Sequence, residues 1–472
     1  TDRSQARKFY TTHITNDERY LVVNAQSPVD HTSLYAIDLR NNSIKTLIER
    51  KEGTFEYIGQ SGNQILLLTN WDAPFKRIIS YNLNAKLPTA RIVVREAKKV
   101  LQTARHFGNY TLAAYSEEGN LELVLFDGSF RMVHNIDLPE VGHVEDITFD
   151  ATVEHAYFKY SGLISPPKIH ELDLKTGRLN TFSLPIVPFS EGQYSMRKTY
   201  FRSLDGEQVP MFLLSKRNLA PTEESPVLLV ASGSQNEALH LKYNATGLHL
   251  IPLFLENDGM VAIPMIRGND QLGDYWFKNG SRINRQRGLD DFEAAATYLI
   301  QQRFTSVEKL AVYGHGPVGS MISLAGMVQR PDLYKVVVGR NGIYDIMNYH
   351  KYGNDWKYGT EIGLGIVAKE FDPLLSIAPM RHAIQTDYPA VLLCTALSGN
   401  EVSPIHTAKL IANIQQKKEN KVPVLMRVPM TDNQSKSSFL TAETAEGADI
   451  MAFIFYQLKM SISSVSKNDE LG

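Results

Sequence analysis

Cysteine is almost absent from this chain: 472 residues hold one, Cys394. No intrachain disulfide can form, and its place in the apolar run Val391-Leu392-Leu393-Cys394 reads as packing in a strand core. A reducing compartment, and so a cytoplasmic location, is the expectation. Long hydrophobic runs are missing too: no stretch reaches the ~20 residues that a membrane helix needs, and none reads as a signal peptide. The chain starts at Thr1 rather than Met, which fits a processed form or a fragment. Lys467-Asn468-Asp469-Glu470-Leu471 resembles an ER-retention tail, but the extra Asn and the following Gly472 break the match. Nor does one sign of charge prevail. The 49 Lys and Arg against 51 Asp and Glu leave a formal net charge of −2, so no global field recruits nucleic acid or an anionic membrane. The runs Arg95-Glu96-Ala97-Lys98-Lys99 and Lys417-Lys418-Glu419-Asn420-Lys421 read as solvated faces. No C-x-x-C, H-E-x-x-H or P-loop pattern occurs, so metal and nucleotide chemistry have no support and no cofactor is expected.

What remains is an ordinary globular composition, 43% hydrophobic and 21% charged, over a length that exceeds one typical core. Two domains are expected, residues 1–190 and 191–472. The first is strand-rich. Leu34-Tyr35-Ala36-Ile37-Asp38-Leu39 returns in kind as Ile79-Ser80-Tyr81-Asn82-Leu83, as Val124-Leu125-Phe126-Asp127 and as Ile169-His170-Glu171-Leu172-Asp173-Leu174. Asp38, Asn82, Asp127 and Asp173 stand 44, 45 and 46 positions apart, each followed by a turn and a further strand. Such a period is the signature of propeller blades, and about four blades fit before Pro185, Pro188 and Gly192 mark a boundary. A β-sandwich is the rival.

Beyond residue 195 the pattern changes. Tyr200-Phe201-Arg202 and Val209 to Leu214 flank the hairpin signal Asp205-Gly206. Apolar strands then alternate with helix-length segments: Val227–Val230, Val261–Ile266, Leu310–Tyr313, Val336–Val338, Val391–Leu393 and Val424–Val428. Leu289–Gln301, Ser403–Gln416 and Ala445–Met460 read as helices. This alternation implies a mainly parallel sheet covered on both faces. Leu310 to Arg330, LAVYGHGPVGSMISLAGMVQR, is a strand, a glycine-rich corner and a helix in direct succession, the pattern of a nucleophile elbow. The fold class expected is therefore an α/β-hydrolase domain preceded by a partial β-propeller.

The second domain resembles the prolyl oligopeptidase family. Arg267-Gly268 with Gly273 and Trp276 is similar to that family's R-G-G-G-x-x-G-x-x-W stretch. Asp290-Asp291-Phe292, Gln329-Arg330-Pro331-Asp332-Leu333, His350-Lys351-Tyr352, Tyr388-Pro389 and Val402 to His406 (V-x-P-x-H) follow in the same order. The resemblance implies a propeller capping a serine peptidase domain that cuts short peptides after proline.

Such a peptidase needs a nucleophile, a His base, an orienting acid and oxyanion donors. Where the family elbow reads G-x-S-x-G-G, this chain has Gly314-His315-Gly316-Pro317-Val318-Gly319. Counting from Leu310 puts Gly316 at the serine position, and counting back from Gln329 puts Pro317 there. Neither has a nucleophilic atom, and Pro317 lacks the backbone N–H that serves an oxyanion hole. By the same resemblance Gly399 stands at the triad Asp, Glu401 at the substrate-binding Arg, Gln434 at the triad His, and Ser232, close to Gln235, at the oxyanion Tyr. Tyr358 aligns with the proline-stacking Trp and remains aromatic. Ser320 and Ser323 read as helix packing, His315 as a turn or cavity residue and His406 as a non-catalytic helix-start residue.

The expectation is then a family member without an intact Ser-Asp-His triad and with no catalytic residue of its own. It would act as a binding, scaffold or assembly subunit with a protein partner or a complementary N-terminal propeller chain. An oligopeptidase with relocated catalytic groups is the rival reading. Peptide capture without cleavage, with Tyr358 as the platform, is a third.

Overall fold

The computed structural model describes residues 8–27, 32–50, 53–86, 89–150, 153–186, 191–231, 243, 250–383, 387–396, 402–416, 422–428 and 436–462. The chain divides into two compact units. One takes the described residues of Thr1–Val187, His240–Tyr243 and Asp270–Phe277, and the other takes those of Pro188–Leu239, Asn244–Asn269 and Lys278–Gly472.

The first unit is built from antiparallel strands. A four-stranded sheet holds β1 (Phe9–Ile14), β2 (Tyr20–Gln26), β3 (Thr32–Asp38) and β4 (Ile44–Arg50). A second holds β5 (Phe55–Ser61), β6 (Gln64–Thr69), β7 (Arg77–Asn82) and β8 (Ala90–Val94). The third sheet has seven strands: β9 (Val100–Phe107), β10 (Tyr110–Glu117), β11 (Asn120–Phe126), β12 (Met132–Asp150), β13 (His155–Gly162), β14 (Lys168–Asp173) and β15 (Leu179–Ser183). The expectation of about four separate blades is thereby corrected. β12 runs for 19 residues and serves two ladders. Its first half pairs with β11, down to Asn120 opposite Val141, and its second half pairs with β13 from Gly142 opposite Gly162 onward.

The 44–46-residue period has a local cause. Asp38 and Asn82 close β3 and β7, Asp127 follows β11, and Asp173 closes β14. Each side-chain oxygen accepts the N–H two residues on, from Arg40, Asn84, Ser129 and Lys175, at 2.8–2.9 Å. The repeat is thus one Asx turn used four times to end a strand. Face-to-face burial does the rest. Val22, Leu34 and Ala36 share a core with Ile65, Leu67 and Ile79, while Leu66, Leu68 and Ile78 share another with Leu101, Ala113 and Val124. On the other side of the first sheet the row Ile14, Leu21, Ile37 and Ile44 crosses all four strands. Ile14 and Ile44 are 58% and 67% exposed.

The second unit carries an eight-stranded sheet of β16 (Tyr194–Arg202), β17 (Gln208–Lys216), β18 (Val227–Ala231), β19 (Met260–Pro264), β20 (Leu310–His315), β21 (Val336–Arg340), β22 (Ala390–Cys394) and β23 (Val424–Arg427). Its order is β16-β17-β19-β18-β20-β21-β22-β23. The first pairings are antiparallel and all those from β19 to β23 are parallel. The central strands β18, β19 and β22 are buried along their whole length, which is why they read as continuous apolar runs.

Nine helices are found among the described residues: α1 (Leu250–Glu256), α2 (Asp274–Lys278), α3 (Arg285–Gln301), α4 (Gly316–Gln329), α5 (Gly359–Ile362), α6 (Ala368–Ile377), α7 (Pro379–His382), α8 (Ile405–Gln415) and α9 (Lys436–Leu458). None of them is long and apolar enough to cross a membrane. α9 begins nine residues before its expected start at Ala445. Arg267, just past β19, forks onto the fully buried Asp291 of α3 with Nε–Oδ2 of 2.9 Å and an Nη2–Oδ1 contact of 2.6 Å. That pair explains why an arginine and an Asp-Asp-Phe stretch accompany each other in this sequence.

Candidate active site

β20 delivers the chain to the carboxyl edge of the sheet, where ligands of parallel α/β folds bind. Gly314 turns there without room for a side chain. A Cβ on it would sit 2.5 Å from Ser323 Oγ and 2.6 Å from the Gly319 carbonyl. Two residues later the backbone enters the left-handed region, with φ of +70° at Gly316, and α4 starts at once. The strained apex of the elbow is therefore Gly316, with Pro317 in the first helical turn, where a missing N–H is tolerated. All of α4 from Gly316 to Val328 is buried.

The hydroxyls of α4 are engaged in packing. Ser320 Oγ accepts the Arg340 N–H at 2.9 Å and lies 2.8 Å from the Gly314 carbonyl. Ser323 Oγ donates to the Ser320 carbonyl at 2.8 Å. Both side chains are fully buried. They fix the corner against β21.

A charged network stands behind the elbow. Arg340 closes β21 opposite His315 in the parallel register. Its Nε and Nη2 donate to Glu446 of α9 at 2.9 and 2.8 Å, and Nη2 lies 3.4 Å from Glu443. Nη1 reaches His315 Nε2 at 3.1 Å. From the end of β23, Arg427 joins Asp449 at 2.9 Å and approaches Glu446 at 3.8 Å. Burial, helped by the Arg340 charge, pushes the His315 imidazole down to about 3, so it is neutral at working pH. Burial likewise pushes the neighbouring Cys394 thiol well up, so it is no nucleophile. Sequence reasoning passed over Arg340. Its signal was a lone charge ending the apolar run Val336-Val337-Val338-Gly339.

A second polar cluster lies in the β21–β22 connection and α8. The Asp345 N–H donates to His406 Nδ1 at 3.1 Å, so the other ring nitrogen carries the proton and donates to Asp355 Oδ2, also at 3.1 Å. Asp345 accepts from Tyr352 Oη at 2.8 Å and pairs with Lys409. With His406 and Asp355 at 0% and 2% exposure, the His–Asp pair meets no substrate. It braces the turn Asp355–Tyr358, which presents Tyr358 half-buried with Lys357 Nζ 4.8 Å from its ring centre.

Of the residues singled out in the sequence, Gly316 and Pro317 meet at the elbow, and Tyr358 sits in this braced turn. Ser232, Gln235, Gly399, Glu401 and Gln434 lie outside the described residues. Their segments leave the carboxyl ends of β18, β22 and β23, the same edge as the elbow.

Comparison with known proteins bears on the whole chain. Residues 2–184 match the prolyl oligopeptidase N-terminal beta-propeller domain and residues 247–461 match the prolyl oligopeptidase family. The prolyl endopeptidase of Elizabethkingia meningoseptica is 28% identical over 458 residues, 96% of this chain and 64% of the relative. That of Dictyostelium discoideum is 27% identical over 464 residues, covering 94% and 59%. A solved prolyl endopeptidase structure superposes with a TM-score of 0.87 at 25% identity, over 96% of this chain and 67% of the other. Prolyl oligopeptidase B from Galerina marginata gives 0.88 at 21% identity, over 98% and 66%. The chain thus spans less than two thirds of the length of these curated relatives. The expectation of a non-enzymatic scaffold subunit is overturned by these matches, because the relatives that align along nearly the whole chain are themselves peptidases. A propeller followed by a peptidase domain, matched segment by segment, makes this chain a member of the prolyl oligopeptidase family.

Proposed function

We propose that the chain acts as a prolyl oligopeptidase-type hydrolase on short peptides, using catalytic groups other than the side chains at Gly316, Gly399 and Gln434. The observation that carries this reading is alignment over 96% of the chain with a prolyl endopeptidase. The elbow adds to it, since its apex at Gly316 keeps the left-handed backbone that positions chemistry at the edge of the sheet. Gly316 itself supplies no nucleophile, and Ser320 and Ser323 are consumed by packing. The nucleophilic hydroxyl then comes from the segments that follow β18, β22 and β23, which contain Ser232, Ser234, Ser398 and Ser435. Tyr358 is the aromatic surface for a substrate proline.

The test combines a fluorogenic proline-containing peptide with a fluorophosphonate probe on the purified chain. Hydrolysis after proline is expected, with the probe mapped by mass spectrometry to one of those four serines. Replacing the labelled serine by Ala should lower kcat by at least ~10³-fold. A chain that neither hydrolyses the peptide nor takes the label would overturn the reading.

A further inference from the structure

In a serine hydrolase elbow the residue after the nucleophile donates its backbone N–H to the developing oxyanion. Here that residue is Pro317, which has no N–H to give. The residue on the other side of the apex, His315, is a polar side chain at the same corner, half-buried and held by one strong constraint. Its Nε2 lies 3.1 Å from Arg340 Nη1. A guanidinium has only donors, so Nε2 is the acceptor in that bond. A neutral imidazole accepting at Nε2 carries its proton at Nδ1.

Arg340 cannot turn away, because Glu446 takes two of its nitrogens and Ser320 Oγ takes its backbone N–H. Arg340 is the charge that acts on the His315 ring; Arg340 itself is held by Glu443 and Glu446 of α9, a network that Arg427 and Asp449 extend and in whose field Tyr313 and Cys394 lie. The guanidinium nearest His315 opposes protonation of its ring and polarises Nδ1–H. A general base needs a free lone pair, and His315 has spent its own on Arg340. A hydrogen-bond donor needs only the N–H.

We propose that Arg340 positions His315 as a neutral imidazole whose Nδ1–H donates to the substrate carbonyl oxygen at the elbow, in place of the amide hydrogen that Pro317 lacks. This rests on the hydrolase reading. When a hydroxyl adds to the carbonyl carbon, the C=O π pair moves onto oxygen and the Nδ1–H bond to that oxygen strengthens. No proton leaves His315: collapse of the adduct returns the pair to the carbonyl, the C–N bond breaks onto nitrogen, and the proton of the attacking hydroxyl leaves on the amine.

The first measurement requires no turnover. In 15N-histidine-labelled protein, with the ring assigned by His315→Gln, the His315 signals should show the Nδ1–H neutral tautomer at pH 7 and keep it at pH 5. Adding N-acetyl-Gly-Pro, whose carboxylate oxygen stands where the acyl oxygen would, should move the Nδ1 proton downfield. An Nε2–H tautomer, an imidazolium at pH 5, or an Nδ1 proton unmoved by saturating peptide would each overturn the proposal. Kinetics then separate donor from packing. His315→Ala should lower kcat by ~10²-fold, the usual loss for one oxyanion donor, with KM within about threefold, and His315→Gln should recover part of the loss through its amide N–H. Equal kcat for all three proteins would overturn the donor role. Absence of hydrolysis in the unsubstituted protein, with tautomer and peptide shift as expected, would refute the hydrolase reading and leave the donor standing.

Discussion

Gly314 excludes a side chain by packing, whereas Gly316 is required by its backbone. In Gly314→Ala the new Cβ would lie 2.6 Å from the Gly319 carbonyl, a backbone atom of a fully buried helix that has no free direction to move. A loss of about 2–3 kcal/mol is expected, the usual cost of overpacking a rigid core. Gly316→Ala should cost about 1–2 kcal/mol through its backbone alone, the strain of a left-handed residue. Urea unfolding should show a lowered midpoint for each variant, and a midpoint unchanged in either would contradict its assignment. The corner itself was legible in the sequence, because strand, glycines and helix are local signals. The choice between Gly316 and Pro317 as apex was not, since it depends on one backbone angle. Arg340 was hidden for another reason. Its partner Glu446 comes 106 positions later, on a helix whose first turns carry no apolar period.

At the level of elements, the strongest local signal was the Asx turn that recurs after β3, β7, β11 and β14. A side-chain oxygen reaching the N–H two residues on is decided within three residues, and so it survives as a visible period. Partners across a hairpin are less visible. His106, on β9, is buried with its Nδ1 2.7 Å from Thr111 Oγ1 of β10. Burial pushes its pKa down to about 4. Unfolding releases the ring to an ordinary value near 6.5, so the unfolded chain binds the extra proton between those two values. The stability that neutral His106 contributes is complete above pH 6.5 and is lost as pH falls toward 4, by on the order of 2–3 kcal/mol. His106→Gln should therefore show a flatter loss of stability across pH 6.5–4 than the unsubstituted protein. Parallel curves in acid unfolding titrations would refute this assignment.

For the molecule as a whole, the two-part organisation and the strands of the parallel sheet were readable because apolar runs and repeat spacing are set by burial. Two features escaped. The order β17-β19-β18 depends on crossovers that leave no mark in composition. The functional inference erred for a chemical reason. Gly316, Gly399 and Gln434 show which positions lack reactive groups, but a catalytic group is defined by where its atoms lie. β18, β22 and β23 end at the same edge of the sheet as the elbow, so what stands at one aligned position does not decide the chemistry of that edge.

The shared strand β12 has a consequence for how the first unit comes apart. Met132–Val141 closes one ladder and Gly142–Asp150 opens the next, and Leu112, Leu123 and Ile136 of the first share one core with Val144, Phe158 and Leu172 of the second, so opening either ladder exposes the apolar face of the other. Strands β9–β15 should behave as one foldon, so amide hydrogen exchange in β10 and in β13 should report the same opening free energy to within about 1 kcal/mol. Two distinct exchange classes within β9–β15 would contradict that coupling. If the coupling holds, a proline introduced at Val144, which disturbs both the β12–β13 ladder and the shared core, speeds amide exchange in β10 as well as in β13.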